Sequence, residues 1–142
     1  MRFMMLMIPK GYEKAAAGTM PDAKAVAAMS KYNESLLKAG VLLSLDGLHP
    51  PSMGARVSFS KGKPRVSDGP FPGAKEVIGG YWIIQVRSKE EAIEWAKRCP
   101  PSDDAIIEVR QIQEMSDFPA DVREAVSGFE ELQRAAGTHP EM

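Results

Sequence analysis

The chain has a single cysteine, Cys99, among 142 residues, so no disulfide can form within it and an oxidising compartment lends the fold no support. Histidine is almost as scarce. The two present, with that one cysteine, cannot build an ordinary zinc site, and no cofactor is implied. An excess of one charge sign is missing too: 18 basic and 19 acidic residues leave a net charge of -1. No basic stripe exists to neutralise a nucleic-acid backbone, so nucleic-acid binding is disfavoured. Long hydrophobic runs are absent, none approaching the roughly 20 apolar residues that span a bilayer. Gly79 and Gly80 lack the G-x-G-x-x-G spacing of a dinucleotide loop and read as admitting a close backbone approach at a strand start. The opening run MRFMMLMIP stops at Pro9, Lys10 and Gly11, too short for a secretory signal and without a small-residue cleavage site. It reads as a buried first strand, and a cytoplasmic protein is expected.

What is present is ordinary globular composition, 44% apolar and 26% charged, sufficient for one hydrophobic core. Nine methionines, several of them in the first strand, read as adaptable core filler. Phe3, Met5 and Met7 fall on one face of a strand over 2–8, and Met4, Leu6 and Ile8 on the other, so both faces ask for burial. Thr19 with Asp22 resembles a capping box and Pro21 suits a first helical turn. The helix predicted from there carries Val26, Met29, Asn33, Leu36 and Leu37 at helical spacing, and Gly40 stands where a left-handed cap belongs. Strands follow over 41–48 and 55–60, with Lys61, Gly62 and Lys63 as a tight turn and 64–67 as the return arm of a hairpin. The Gly- and Pro-rich stretch 68–80 is a shaped loop, and 81–86 is the strongest strand. Ser88 and Glu91 make a Ser-x-x-Glu capping box for a second helix with Ala92, Trp95, Ala96 and Cys99 on its buried stripe, stopped by Pro100 and Pro101. A last strand is predicted over 105–112. A charged helix over 119–135 follows, with Val122, Val126, Phe129 and Leu132 as its apolar seam, and then a frayed tail from Gly137.

This order is α+β, the ferredoxin-like split βαβ pattern with an inserted hairpin arm. Two helices cover one sheet face. The apolar second face of the first and fourth strands then needs its own shelter, and a symmetric homodimer packing sheet against sheet supplies it, with the C-terminal helix as competing lid.

The segment VSDGPFPGAKE over 66–76, then Gly79, Gly80 and Tyr81, then Glu90, Ala92, Trp95 and Ala96, resembles the YCII-related DGPF family. Asp68, Gly69, Pro70 and Phe71 are the name-giving tetrapeptide, Lys75 and Glu76 match its Lys-Glu pair, and Glu108, Val109 and Arg110 match its final strand. The similarity runs from about Arg2 to Ile112. It sets a domain over 1–115 and leaves 116–142 as a C-terminal helix and tail. The resemblance implies a dimeric α/β barrel, a largely unassigned function and frequent encoding beside extracytoplasmic-function sigma factors. In the wider YCII-related group a helical histidine and an aspartate near the hairpin are suggested as an active-site pair. Asp68 matches the aspartate, but no histidine lies between Pro21 and Gly40, so that pair does not carry over.

The residues leave several roles open. Asp68 ahead of Gly69 and Pro70 can hold its own turn by accepting downstream amide hydrogen bonds, or serve as a general base at a cleft mouth. His49, beside Pro50 and Pro51, is the substitute partner that would complete a catalytic His49/Asp68 pair, the aspartate fixing the tautomer and raising the basicity of the far nitrogen. Glu108 and Arg110 share one strand face as an internal ion pair or a clamp for a ligand. Lys75 sits on the loop, where it can aid an anionic ligand. Asn33 interrupts the helical stripe and can reach a cleft, with Tyr81 or Trp82 as its aromatic wall, depending on register. The expected ligand-binding set is therefore Asn33, Asp68, Lys75, Tyr81, Glu108 and Arg110. Three functions remain: a small-molecule-binding or regulatory dimer working with a sigma factor, a cofactor-independent enzyme using His49 and Asp68, and a purely structural interaction module.

Overall fold

The computed structural model describes residues 1–137, so the tail expected beyond Gly137 lies outside the described residues. Its main unit, 1–111, runs β1 (Arg2–Ile8), α1 (Ala23–Lys38), β2 (Leu42–Gly47), β3 (Ala55–Ser60), β4 (Lys63–Asp68), β5 (Gly80–Gln85), α2 (Lys89–Lys97) and β6 (Ile106–Gln111). Four strands form an antiparallel sheet in the order β2-β5-β1-β6, so the two most apolar strands lie at its centre. β3 and β4 form a separate two-stranded sheet. Within the described residues the four-stranded sheet stays open and no barrel closes.

Register decides which side chains meet. Phe3 lies opposite Ile84, and Met5 opposite both Trp82 and Val109, so one face gathers aromatic and branched groups. Tyr32 and Leu36 of α1 and Ala92 and Cys99 around α2 pack onto this face as one cluster, which places both helices on the same side. Phe3, Met5, Leu36 and Ile84 are at most 1% exposed, each burial contributing about 1.5–3 kcal/mol. Tyr32 meets Trp82 edge to face at 5.7 Å, and its hydroxyl donates to the Trp95 carbonyl at 2.7 Å, tying α1 to β5 and α2 together. Burial pushes the Tyr32 phenol up, and the nearby Cys99 adds to the shift. The same burial pushes the Cys99 thiol up to about 11.

The other face carries Met4, Leu6, Tyr81 and Ile83, all half-buried, beside the exposed ion pair of Arg110 Nη1 with Glu108 Oε2 at 3.2 Å.

Local chemistry moves several boundaries. α1 starts at Asp22, not at Thr19: the Asp22 carboxylate accepts from the Ala25 N–H at 2.7 Å, while the Thr19 hydroxyl donates to the Ala16 carbonyl. Of the expected stripe, Val26 and Leu37 are exposed at 47% and 66%, because Tyr32 rather than Leu37 turns inward with Leu36. The helix end is as expected. Gly40, at φ 73, lets its N–H reach the Leu37 carbonyl and the Val41 N–H reach that of Leu36, a Schellman cap. Ser88 Oγ accepts from the Glu91 N–H, but the Glu91 carboxylate takes the Arg87 N–H instead of closing the box on Ser88.

The second unit begins at Ile112. The helix expected over 119–135 is two, α3 (Ala120–Ala125) and α4 (Phe129–Ala135), parted where Val126 leaves helical geometry ahead of Gly128. Glycine inside a helix costs about 1 kcal/mol relative to alanine, which weakens continuity there. The seam residues Phe129 and Leu132 are exposed.

Candidate functional site

A cavity of about 480 Å³ opens at the end of the sheet where Gly47 faces Gly80. Its volume is in the range of small-molecule sites. α1 supplies Met29 and Asn33, β2 supplies Leu45 and Asp46, and β5 supplies Tyr81 and Trp82. Met20 and Pro21, ahead of α1, and Tyr12, after β1, complete the wall.

Two hydrogen bonds, on opposite faces of the sheet, involve residues that border it. The Trp82 Nε1–H donates to Asn33 Oδ1 at 2.8 Å, which occupies one lone pair of the amide oxygen and leaves the amide NH₂ as the group able to donate. The Tyr81 hydroxyl donates to Asp46 Oδ2 at 2.9 Å. That bond to Asp46 raises the Tyr81 pKa, since losing the phenolic proton would place two anions together. Tyr12 donates to the Leu48 carbonyl, and its own pKa is raised by burial.

The expected site residues divide between places. Asn33, Tyr81 and Trp82 all border this cavity, but the register turns the Trp82 side chain to the helix-covered face, where it meets Asn33, and the Tyr81 side chain to the opposite face with Leu6. His49 lines a different hollow of about 440 Å³, with Arg56, Phe71 and Val77. Asp68 ends β4 and is exposed, and among the described residues no hydrogen bond joins it to His49. Lys75 is exposed on the loop, and Glu108 and Arg110 pair with each other on β6. None of these five lines the larger cavity.

The tetrapeptide from Asp68 to Phe71 works through its backbone and its ring. Among the described residues no hydrogen bond to the Asp68 carboxylate holds its turn. The Gly69 N–H donates to the Gly54 carbonyl at 2.9 Å, and a Cβ on Gly69 would lie 1.7 Å from the Pro51 carbonyl oxygen, so only glycine fits. Phe71 lies under the Arg56 guanidinium at 4.1 Å. The motif thus fastens the base of the hairpin to the 50–54 segment.

Sequence reasoning missed Asp46, Tyr12, Met20 and Leu45. Asp46 enters the site only through its pairing opposite Tyr81, a register that no local pattern announces. Among the described residues no group of three or more His, Cys, Asp or Glu side chains is placed to hold a metal ion, and no helix is long and apolar enough to cross a membrane.

Sheet, helices and cavity define a small antiparallel α+β protein with one helix-covered face and a hollow at the sheet end. The chain belongs to the YCII-related domain family, which it matches over residues 1–116. It is also similar to an uncharacterised protein, R00369, of Rhizobium meliloti (strain 1021), at 30% identity over 76 residues. That match covers 54% of this chain and 61% of the relative, so the chain spans less than two thirds of the relative's length.

Proposed function

We propose that the protein is a small-molecule-binding homodimer of the ferredoxin-like type, with the cavity beside Asn33, Tyr81 and Trp82 as its binding site. The observation that carries this reading is that cavity: an apolar wall with a few convergent polar groups, the usual make-up of a ligand site. The strand order β2-β5-β1-β6 with helices after β1 and β5 supports the ferredoxin-like assignment. The half-buried Met4, Leu6 and Ile83 support a dimer packed through the sheet face opposite the helices, where two sheets would make the dimeric barrel. A regulatory role beside an extracytoplasmic-function sigma factor rests on the resemblance carried by the DGPF segment and its flanks, and a cytoplasmic location on the lone cysteine and the short apolar opening run.

The acid–base reading of His49 and Asp68 has less behind it, because the two share no hydrogen bond among the described residues and His49 belongs to a separate hollow.

Screening a metabolite library by thermal shift, with NMR of the Trp82 indole N–H as second readout, tests the binding reading. A ligand that moves both supports it; no shift of the indole N–H with any compound overturns it. Light scattering at micromolar concentration tests the dimer, and a monomeric mass would remove it.

A further inference from the structure

The hollow that His49 borders, about 440 Å³ at the base of the hairpin, shares no lining residue with the larger cavity. Three large apolar side chains around it, Leu48, Met53 and Ile78, are exposed. Among the described residues bordering it, Arg56 and His49 are the only ones that can carry charge, and no carboxylate stands with them. The chain has none from Gly47 to Ser67. Asp68, the next acid along, pairs with Ala55, which puts it on the other face of the hairpin from Arg56. Arg65, paired with Ser58, shares the Arg56 face and adds positive charge there.

Arg56 is positioned but not neutralised. Its Cζ lies 4.1 Å from the centre of the Phe71 ring, and Phe71 belongs to the wall, so the side chain is folded back to the base of the hairpin, where the hollow lies. The ring attracts the cation without supplying an acceptor oxygen. Among the described residues no hydrogen bond or ion pair reaches the guanidinium.

We propose that this hollow is a second binding site, taking an organic carboxylate whose oxygens fork onto the Arg56 guanidinium and whose apolar body lies against Leu48, Met53 and Ile78. Paired N–H donors match the two oxygens of a carboxylate, and an arginine already held on an aromatic ring gives up little freedom on pairing. A phosphate calls for more donors than one guanidinium among apolar walls provides. An amine meets like charge. Phe71, the last residue of the tetrapeptide, then both closes the hairpin and sets the anchor.

Phenylacetate, phenylacetamide and phenethylamine share one ring and differ in the charge of the end group. The full chain is titrated with each while NMR follows the Arg56 Nε–H, the Ile78 methyls and, for the larger cavity, the Trp82 indole N–H. Phenylacetate is expected to bind about tenfold more tightly than phenylacetamide, moving the Arg56 and Ile78 signals and not the indole, with phenethylamine weakest. Arg56→Gln should bring phenylacetate down to the level of phenylacetamide, whose own affinity stays unchanged. Phe71→Leu should weaken phenylacetate and leave it ahead of the amide.

If acid and amide bind alike, or if inorganic phosphate competes as well as phenylacetate, the carboxylate assignment is overturned. Should Arg56→Gln weaken the amide too, the ratio of acid to amide decides, and an unchanged ratio overturns the role of Arg56. If no probe moves the Arg56 and Ile78 signals up to its solubility limit, or if the acid moves only the indole, the hollow is not a carboxylate site. The binding reading of the larger cavity is judged on the indole signal and stands or falls separately.

Discussion

The four-stranded sheet and the two-stranded hairpin use the same kind of backbone pairing and are stabilised in opposite ways. In the sheet, Phe3, Met5 and Ile84 lie under two helices with almost no exposure. In the hairpin every residue from Ala55 to Ser60 and from Lys63 to Asp68 is exposed, including Phe59 at 74% and Val66 at 70%. An isolated two-stranded ribbon is marginal in water, so the arm depends on its ends. At one end Lys61 and Gly62 turn with positive φ, and at the other the Gly69–Gly54 hydrogen bond and the Arg56–Phe71 stack close the base. Side-chain packing specifies the first region; turn chemistry and one close backbone contact specify the second.

The comparison can be broken from either side. Leu36→Ala, in the wholly buried centre, should cost about 2–5 kcal/mol in denaturant unfolding. Phe59→Ala should cost under about 0.5 kcal/mol in the same assay, as surface changes do. A cost for Phe59→Ala above that would mean that the arm is covered in solution. Gly69→Ala should cost about 1–3 kcal/mol, because the Pro51 carbonyl must move aside. Its loss should register first in amide exchange of the hairpin, with the sheet amides still protected. Trp82→Phe removes the donor to Asn33 and should cost about 1–3 kcal/mol, measured by the same unfolding curves.

A further effect is a pH dependence in the helix-covered core. The Cys99 thiol stands at about 11 in the folded chain against 9.0 for a free thiol. A raised folded value means that the contribution is whole below pH 9 and is lost as pH rises towards 11. Between those limits the wild type should lose stability faster than Cys99→Ala, and at neutral pH the thiol should react slowly with disulfide reagents. Equal slopes would remove the assignment.

The element order and the helix-covered face were legible because periodicity and turn residues are local signals: the alternation in β1, the Gly40 cap and the turn at Lys61 and Gly62 each speak within a few residues. The faults lie where a neighbour in space decides. Tyr32 and Leu37 are both plausible on the α1 stripe, and only the position of Trp82 selects Tyr32. The C-terminal seam runs through Gly128 without interruption as a pattern, yet the backbone breaks there. Asn33 could be read as reaching an aromatic wall from its place on an apolar stripe, but whether Tyr81 or Trp82 turns its side chain towards it is decided by strand register. Asp46 could not be anticipated, since its relevance comes from cross-strand register with Tyr81.

Asn33 and Trp82 also join what natural selection would otherwise be free to treat separately. Trp82 is at once a core residue against Tyr32 and a wall of the cavity, held by its bond to Asn33. A lineage altering ligand preference through Trp82 would lose stability with each step. One altering Met20 or Leu45, both exposed at the same cavity, would not. Divergence of specificity among relatives should therefore be concentrated on the entrance side of the cavity, while the indole and its amide partner change together or not at all.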